Sequence, residues 1–383
     1  MRRETPSAVA KLQVQVIHRF EELAALSDEW DTLERKLYLR TPFTSSAWNI
    51  LWWNHHRQAK MMIQDELYSF ALRNAQGELI AIAPMMVSMR PGIKAFGIRV
   101  LQFFGADPNV TEIRGLICDP NYRELAVATL KNHLHTCKRK WDWIEWQGLS
   151  LPQALILATP SAEQPMPRVV CYLALPPTWE ELKTSLSRNM KEAIRKCFNS
   201  LKRDEHHHEV HVVSKPEEVP DAMQTLFNLH TLRSEADHTV EHANVFQREK
   251  SRRFLTAFVH KMAEQDRLRL FQVKIKGQVV ATRIGFVCDR HLYLYYSGYD
   301  IEWGKYSIMT TVVVHAVQWA IANGFEYLNL STGRDYSKMR WQPTEYLLHN
   351  AIQISPRLRS AHLFHGYTRI RTGALSRFLS RRR

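Results

Sequence analysis

At 383 residues the chain is longer than one hydrophobic core usually holds, so two domains are expected and a miniature stapled scaffold is excluded. Hydrophobic residues at 45%, charged at 23% and aromatic at 10% exclude a mostly disordered, collagen-like or low-complexity protein. With 52 Lys and Arg against 38 Asp and Glu the net charge is +14, which points to a polyanionic partner without selecting among nucleotide cofactor, nucleic acid, acidic carrier protein and membrane surface.

In chain order, the N-terminal Met1-Arg2-Arg3-Glu4-Thr5-Pro6 is not followed by an apolar run, so no secretory signal is visible and a cytoplasmic location is expected. Leu67–Arg73, Gly77 and the run 78–87 read as a β-hairpin. A helix is predicted over Leu125–Cys137, followed by a strand over Trp141–Trp146 whose alternation marks one buried face. Pro152, Pro160, Pro165, Pro167, Pro176 and Pro177 then cluster as a linker. Beyond it the same order returns: a hairpin of Leu268–Lys274, Gly277 and 278–287, a helix over Ser307–Ala322 stopped by Asn323-Gly324, and a strand over Phe325–Leu330. A mixed α/β domain used twice is the simplest account: residues 1–165, residues 166–355, and a tail from 356 to 383.

Between the repeats a single helix is predicted over Trp179–Arg203, opened by a Thr178/Glu181 capping box. Leu182, Leu186, Met190, Ile194, Cys197 and Leu201 form its apolar stripe. Its other faces carry Lys183, Arg188, Lys191, Arg195, Lys196, Lys202 and Arg203, a basic side that either meets solvent or holds a phosphate or acidic partner. The tail from Arg357 onward has eight Arg and no acidic residue, more than half of the excess charge. Arg369, Arg371 and Arg377, interleaved with Leu363, Phe364, Ile370, Leu375, Phe378 and Leu379, fit either a solvated final helix or a basic amphipathic helix on anionic lipid.

Five scattered cysteines without a CxxC pair suggest no disulfide framework and fit a reducing compartment. His206-His207-His208 with His211 lacks the spacing of a metal site, and His133, His135 and Cys137 do not converge on a helix, so no metal is expected. No Walker loop, GxGxxG, GxSxG or HExxH is present, which argues against nucleotide hydrolysis, Rossmann redox chemistry, serine hydrolysis and zincin chemistry.

The ordered set running from 187 to 196, Leu229-His-Thr-Leu-Arg233, the hairpin at Gly277–Ala281, Tyr296-Ser-Gly-Tyr-Asp300, Trp303, Tyr306-Ser307, and Gly333 through Tyr336, Lys338 and Trp341 resembles the CelD-like branch of the GNAT superfamily. That branch comprises tandem-domain acyltransferases often associated with polysaccharide biosynthesis and related to the Fem aminoacyltransferases. The resemblance implies tandem GNAT-like domains of mixed sheets and transfer of an acyl group from acyl-CoA, such as acetyl-CoA, to an amine such as an amino sugar or amino acid. It places the donor's pyrophosphate at the helix beginning near Ser307, with Gly304 and Lys305, because helix N-termini favour anions.

Acyl transfer needs a base for the amine and an acid for the leaving group. His230 and Glu235 are the candidate bases, and Tyr306 or Tyr336 the candidate acids. Arg233 is expected to position the acceptor, with Asp335 and Lys338 as further substrate contacts. Where relatives tend to have Ser-Pro-Gly, this chain has Ser307-Ile308-Met309, which keeps an acyl carrier protein or aminoacyl-tRNA open as donor. A Fem-type aminoacyltransferase and a catalytically inactive scaffold serving as a binding subunit are the alternatives. Sequence-specific nucleic-acid recognition is not expected, and membrane contact would be peripheral, through the tail.

Overall fold

The structure is a computed structural model describing residues 11–380 except 62, 92–96, 108, 151–152, 154–156, 158–167 and 237–243, with side chains described as far as residue 369. Most of the proline-rich linker, and the side chains of the tail residues Ile370, Arg371, Leu375, Arg377, Phe378 and Leu379, lie outside that description.

The first half contains β1 (Gln13–Ile17), β2 (Ala59–Lys60), β3 (Ile63–Leu67), β4 (Ser69–Arg73), β5 (Leu79–Ala83), β6 (Met85–Arg90), β7 (Ile98–Phe103), β8 (Ile117–Cys118) and β9 (Trp143–Ser150). Its helices are α1 (Phe20–Ala24), α2 (Ser27–Arg35), α3 (Ser46–His56) and α4 (Arg123–Thr136). The second half contains β10 (Arg168–Ala174), α5 (Trp179–Ser185), α6 (Arg188–Arg203), β11 (His208–Val213), α7 (Val219–Ser234) and α8 (Glu249–Glu264). It continues through β12 (Leu268–Ile275), β13 (Gln278–Cys288), β14 (His291–Tyr299), α9 (Ile308–Ala322), β15 (Tyr327–Thr332), α10 (Tyr336–Met339), β16 (Thr344–Ile354) and α11 (Leu358–Ser380).

The two halves repeat one topology. In the second, β11, β12, β13 and β14 follow one another antiparallel, and β15 returns parallel to β14 after α9. In the first, β1 and β4 lead to β5 and β6, β7 runs antiparallel to β6, and β9 returns parallel to β7 after α4. The predicted strand 78–87 is divided at Pro84, which has no N–H for a ladder. β5 therefore stays in a four-stranded sheet of order β1-β4-β5-β8, while β6 passes into the large sheet. That sheet has the order β11-β12-β13-β14-β15-β10-β16-β9-β7-β6-β3-β2 and runs through both halves.

Aromatic packing joins the halves on one face of this sheet. Trp48 of α3 meets Phe254 and Phe258 of α8 edge-on, with ring centroids 4.9 and 4.7 Å apart. The opposite face of the second half is covered by α6 and α9, whose buried Met190, Ile194, Leu201, Ile308, Val312 and Ala316 pack on Phe271, Leu292 and Leu294.

The single helix predicted over Trp179–Arg203 is two helices. Leu186 and Ser187 are extended, and Ser187 Oγ accepts from the Met190 N–H at 3.3 Å, opening α6 with a cap of its own. The apolar stripe survives the break, since Leu182, Leu186, Met190, Ile194, Cys197 and Leu201 are all buried. The histidine tract disperses: His206 meets Tyr306, His208 meets His315, and His211 meets Glu218. Among the described residues no group of three metal-binding side chains converges. Nor, among them, is any helix long and apolar enough to cross a membrane. At the start of the tail, Leu363 is buried and Phe364 packs on the Trp143 ring at 5.4 Å, so these two apolar residues are taken up within the chain.

The His208–His315 contact, Nε2 to Nε2 at 3.0 Å, carries a pH prediction. Burial, with His208 adding, pushes His315 down to about 4 from the ordinary 6.5. A folded pKa below the unfolded value means that the site's stability is complete above pH 6.5 and is lost as pH falls toward 4. Denaturant unfolding is expected to show roughly 2–3 kcal/mol of acid loss from this site between pH 7 and 4. In His315→Phe that part of the pH dependence disappears.

Candidate active site

β14 and β15 pair over only three positions, His291–Tyr327, Leu292–Leu328 and Tyr293–Asn329, although β14 continues to Tyr299 and β15 to Thr332. Beyond Tyr293 and Asn329 the backbone hydrogen bonds of a ladder give way to a wedge between two parallel strands. The Glu112 carboxylate, delivered by the loop after β7, stands at its apex. It accepts from the Tyr293 hydroxyl on one strand and from the Ser331 hydroxyl on the other. The residue is buried, and such a carboxylate needs these donors to stay charged away from water. Burial, with the Glu112 charge adding to it, raises Tyr293 well above the ordinary tyrosine range, so its hydroxyl keeps its proton and remains a donor.

A buried guanidinium, that of Arg283, feels the charge of this carboxylate. Arg283 of β13 lies opposite Ser297 of β14, and its Nε is buried without a hydrogen-bond partner among the described residues. Burial pushes the Arg283 guanidinium down to about 10; neighbouring Arg233 adds to this, and Glu112 and Asp335 oppose it. Such a group gains by meeting an anion or a carbonyl oxygen.

Several residues predicted from the sequence gather here. His230 of α7 is buried with Nδ1 3.1 Å from the Ser297 carbonyl oxygen, and Arg233 Nη1 donates to Ser297 Oγ at 3.4 Å while lying 5.5 Å from the Tyr299 ring. Both therefore stand along the β14 arm of the wedge. On the β15 arm, Lys338 Nζ donates to the Thr332 carbonyl and pairs with Asp335 at 2.8 Å. Glu235 is exposed at the end of α7, and Tyr336 is 77% exposed with Arg340 at 5.6 Å from its ring.

Tyr306, Gly304, Lys305 and Ser307 lie at the corner leading into α9. Tyr306 is buried and donates to Asp204 Oδ2 at 2.9 Å, and His206 Nε2 stands 3.2 Å from its hydroxyl. Arg203, with help from Tyr306, holds Asp204 down at about 2. Ser307 occupies the N-cap position in the left-handed region, φ 55° and ψ 41°, without a side-chain cap. Ile308 is fully buried in the core between α9 and the sheet, with Met309 half-buried beside it. The open space lies next to them, between the 3-10 turn Ile301–Tyr306 and α6: a cavity of about 360 Å3 lined by Lys196, Asn199, Ser200, Arg203, Asp204, Lys305 and Tyr306.

Glu112 and Arg283 were not singled out in the sequence. Glu112 lies in an irregular segment and Arg283 in an ordinary hairpin strand, and only the tertiary fold brings them to the wedge.

Residues 188–342 match the acetyltransferase (GNAT) domain family. Among solved structures the chain is similar to FemX, with a TM-score of 0.55 and 11% identity over 89% of this chain and 97% of that one. It is also similar to a conserved protein of unknown function from Bacteroides thetaiotaomicron VPI-5482, with a TM-score of 0.51 and 10% identity over 89% of this chain and 100% of that one. At such identity the likeness is one of fold. No curated protein matches the chain. The class is thus a mixed α/β protein of two halves with one repeated topology, and the second half carries the segment that matches the acetyltransferase (GNAT) domain.

Proposed function

We propose that the protein is an N-acyltransferase that moves an acyl group from a thioester of coenzyme A, or of an acyl carrier, to an amine. The observation that supports this best is the buried Glu112 carboxylate bridging two parallel strands where they part. A thioester laid in that wedge would put its carbonyl carbon beside a base, while Arg283 stands near enough to offset negative charge on the carbonyl oxygen. The amine nitrogen attacks that carbon and passes a proton to Glu112. The carbon–sulfur bond then breaks and the thiolate takes up the proton, so charge and atoms balance. In this reading His230 and Arg233 hold the β14 arm in place and Lys338 holds the β15 arm.

The donor's phosphates are assigned to the cavity at Lys196 and Lys305, on the face covered by α6 and α9, and the amine approaches from the Glu112 side. Acyl-CoAs of increasing length, offered with amino sugars and amino acids, should release free thiol in an acceptor-dependent way. Donor binding alone should raise the melting temperature, since a ligand at 100 times its Kd stabilises by about 2.7 kcal/mol. Absence of both responses with every donor would overturn the reading.

Charge reversal at Lys196 and Lys305 together is expected to weaken donor binding at least tenfold while leaving the melting temperature unchanged, because both side chains are exposed. Isothermal titration at two salt concentrations measures this. Unchanged affinity would return the α6 face to solvent.

The basic side of α6 favours a second reading, aminoacyl transfer from charged tRNA. That donor would bind with a steep loss of affinity as salt rises, the logarithm of affinity falling by roughly 0.7–0.9 per phosphate neutralised for each tenfold rise in salt. A place in polysaccharide biosynthesis, as the CelD-like resemblance implies, belongs to the first reading and would be met by an amino-sugar acceptor.

A further inference from the structure

The first half repeats the wedge. β7 and β9 also pair in parallel over three positions, Val100–Trp143, Leu101–Ile144 and Gln102–Glu145. β7 runs on to Phe103, and Phe103 and Phe104 face a cavity of about 560 Å3, within the roughly 300–1,000 Å3 typical of small-molecule sites. Ile113, Leu116, Val170 and Leu348 supply further apolar wall. Four of the residues lining it are large apolar side chains left in solvent: Tyr38 at 78%, Tyr346 at 57%, Leu347 at 45% and Leu39 at 43% exposure. A soluble fold gains nothing from exposing such a group together beside a hollow unless something apolar enters.

The cavity adjoins the wedge of the second half. Thr111 and Ile113, on either side of Glu112, both line it. Tyr172 and His349 line it too, and the Tyr172 hydroxyl and His349 Nε2 are buried without a hydrogen-bond partner among the described residues. Glu345 also lines the wall, its carboxylate already paired with Arg334 at 2.7 Å. Arg114 and Arg123 complete the charged part of the wall, and the remainder suits hydrocarbon.

We propose that this cavity is the acceptor site and takes an amine with an extended apolar body, its nitrogen directed at Glu112. This rests on the acyl-transfer reading for its chemistry, although the binding site itself does not. The phosphate cavity by Lys305 lies against α6, on the other face of the sheet, so the apolar cavity is left to the acceptor.

Straight-chain amines from n-butylamine to n-decylamine, titrated calorimetrically with no donor present, test the site directly. Affinity should rise roughly fourfold per methylene until the cavity is full. In Ile113→Trp, which narrows the cavity from a half-buried position, and in Leu347→Arg, which charges an exposed lining residue, that rise should flatten. Affinity that does not depend on chain length, or a rise unchanged in both variants, would overturn the proposal. A length-dependent rise in a protein that releases no thiol from any donor would leave the apolar amine site standing and remove the catalytic reading instead.

Discussion

Glu112→Gln is expected to lower kcat/KM for amine acylation by roughly 10^2–10^4, the usual worth of a positioned general base. The substitution keeps the size of the side chain, and its amide oxygen can still accept a hydrogen bond from Tyr293 or Ser331. Melting temperature and donor affinity should therefore move little. Steady-state kinetics across pH separate a base from a strut: a base takes with it the acidic limb of the kcat/KM profile, whereas a strut leaves the profile's shape intact. Glu112→Ala is a different experiment, since it strands two buried hydroxyls at about 1–3 kcal/mol each and tests folding rather than transfer. Full activity in the glutamine variant would remove Glu112 from the mechanism.

The second large effect is expected at Gly298, on the β14 arm. A Cβ there would sit 2.6 Å from the His230 backbone nitrogen and 2.7 Å from the Leu229 carbonyl carbon, so α7 itself would have to retreat. Gly298→Ala should cost about 3 kcal/mol in denaturant unfolding, at the upper end of overpacking. It should also carry His230 and Arg233 away from Ser297, so activity in the folded fraction should fall as well. Gly304→Ala, whose Cβ would meet only the Tyr299 ring at 3.7 Å, should be nearly neutral in stability. Equal stability of the two variants would show that α7 is not held against β14 in the way described.

What was legible in the sequence was what local pattern dictates. The hairpins at Gly77 and Gly277, the helices before β9 and β15, and the repeated order of elements all follow from alternation, helical period and turn residues. Two expectations failed for equally local reasons. Pro84 interrupts a ladder that the apolar run from Leu79 to Val87 disguises, and Ser187 caps a new helix inside an unbroken apolar stripe. Of the site, His230, Arg233, Asp335 and Lys338 could be named because they border the strands and turns that build the wedge. Glu112 could not, because it belongs to the first half and meets Tyr293 and Ser331 across 181 and 219 residues of chain. No periodicity reports on a contact of that separation, nor on a cavity walled by both halves.

The strand exchange at the centre of the large sheet has a consequence for how the chain can move and be divided. β10 opens the second half and lies against its last repeat strand, β15, while β16, just ahead of α11, lies against β9 of the first. The two also pair with each other. Swinging one half from the other would unzip a ladder rather than bend a hinge, so substrates must reach the wedge through fixed openings. For the same reason, shortening the polypeptide ahead of Thr344 would strip the first half of its neighbour and leave β9 with bare amides and carbonyls, an edge prone to self-association.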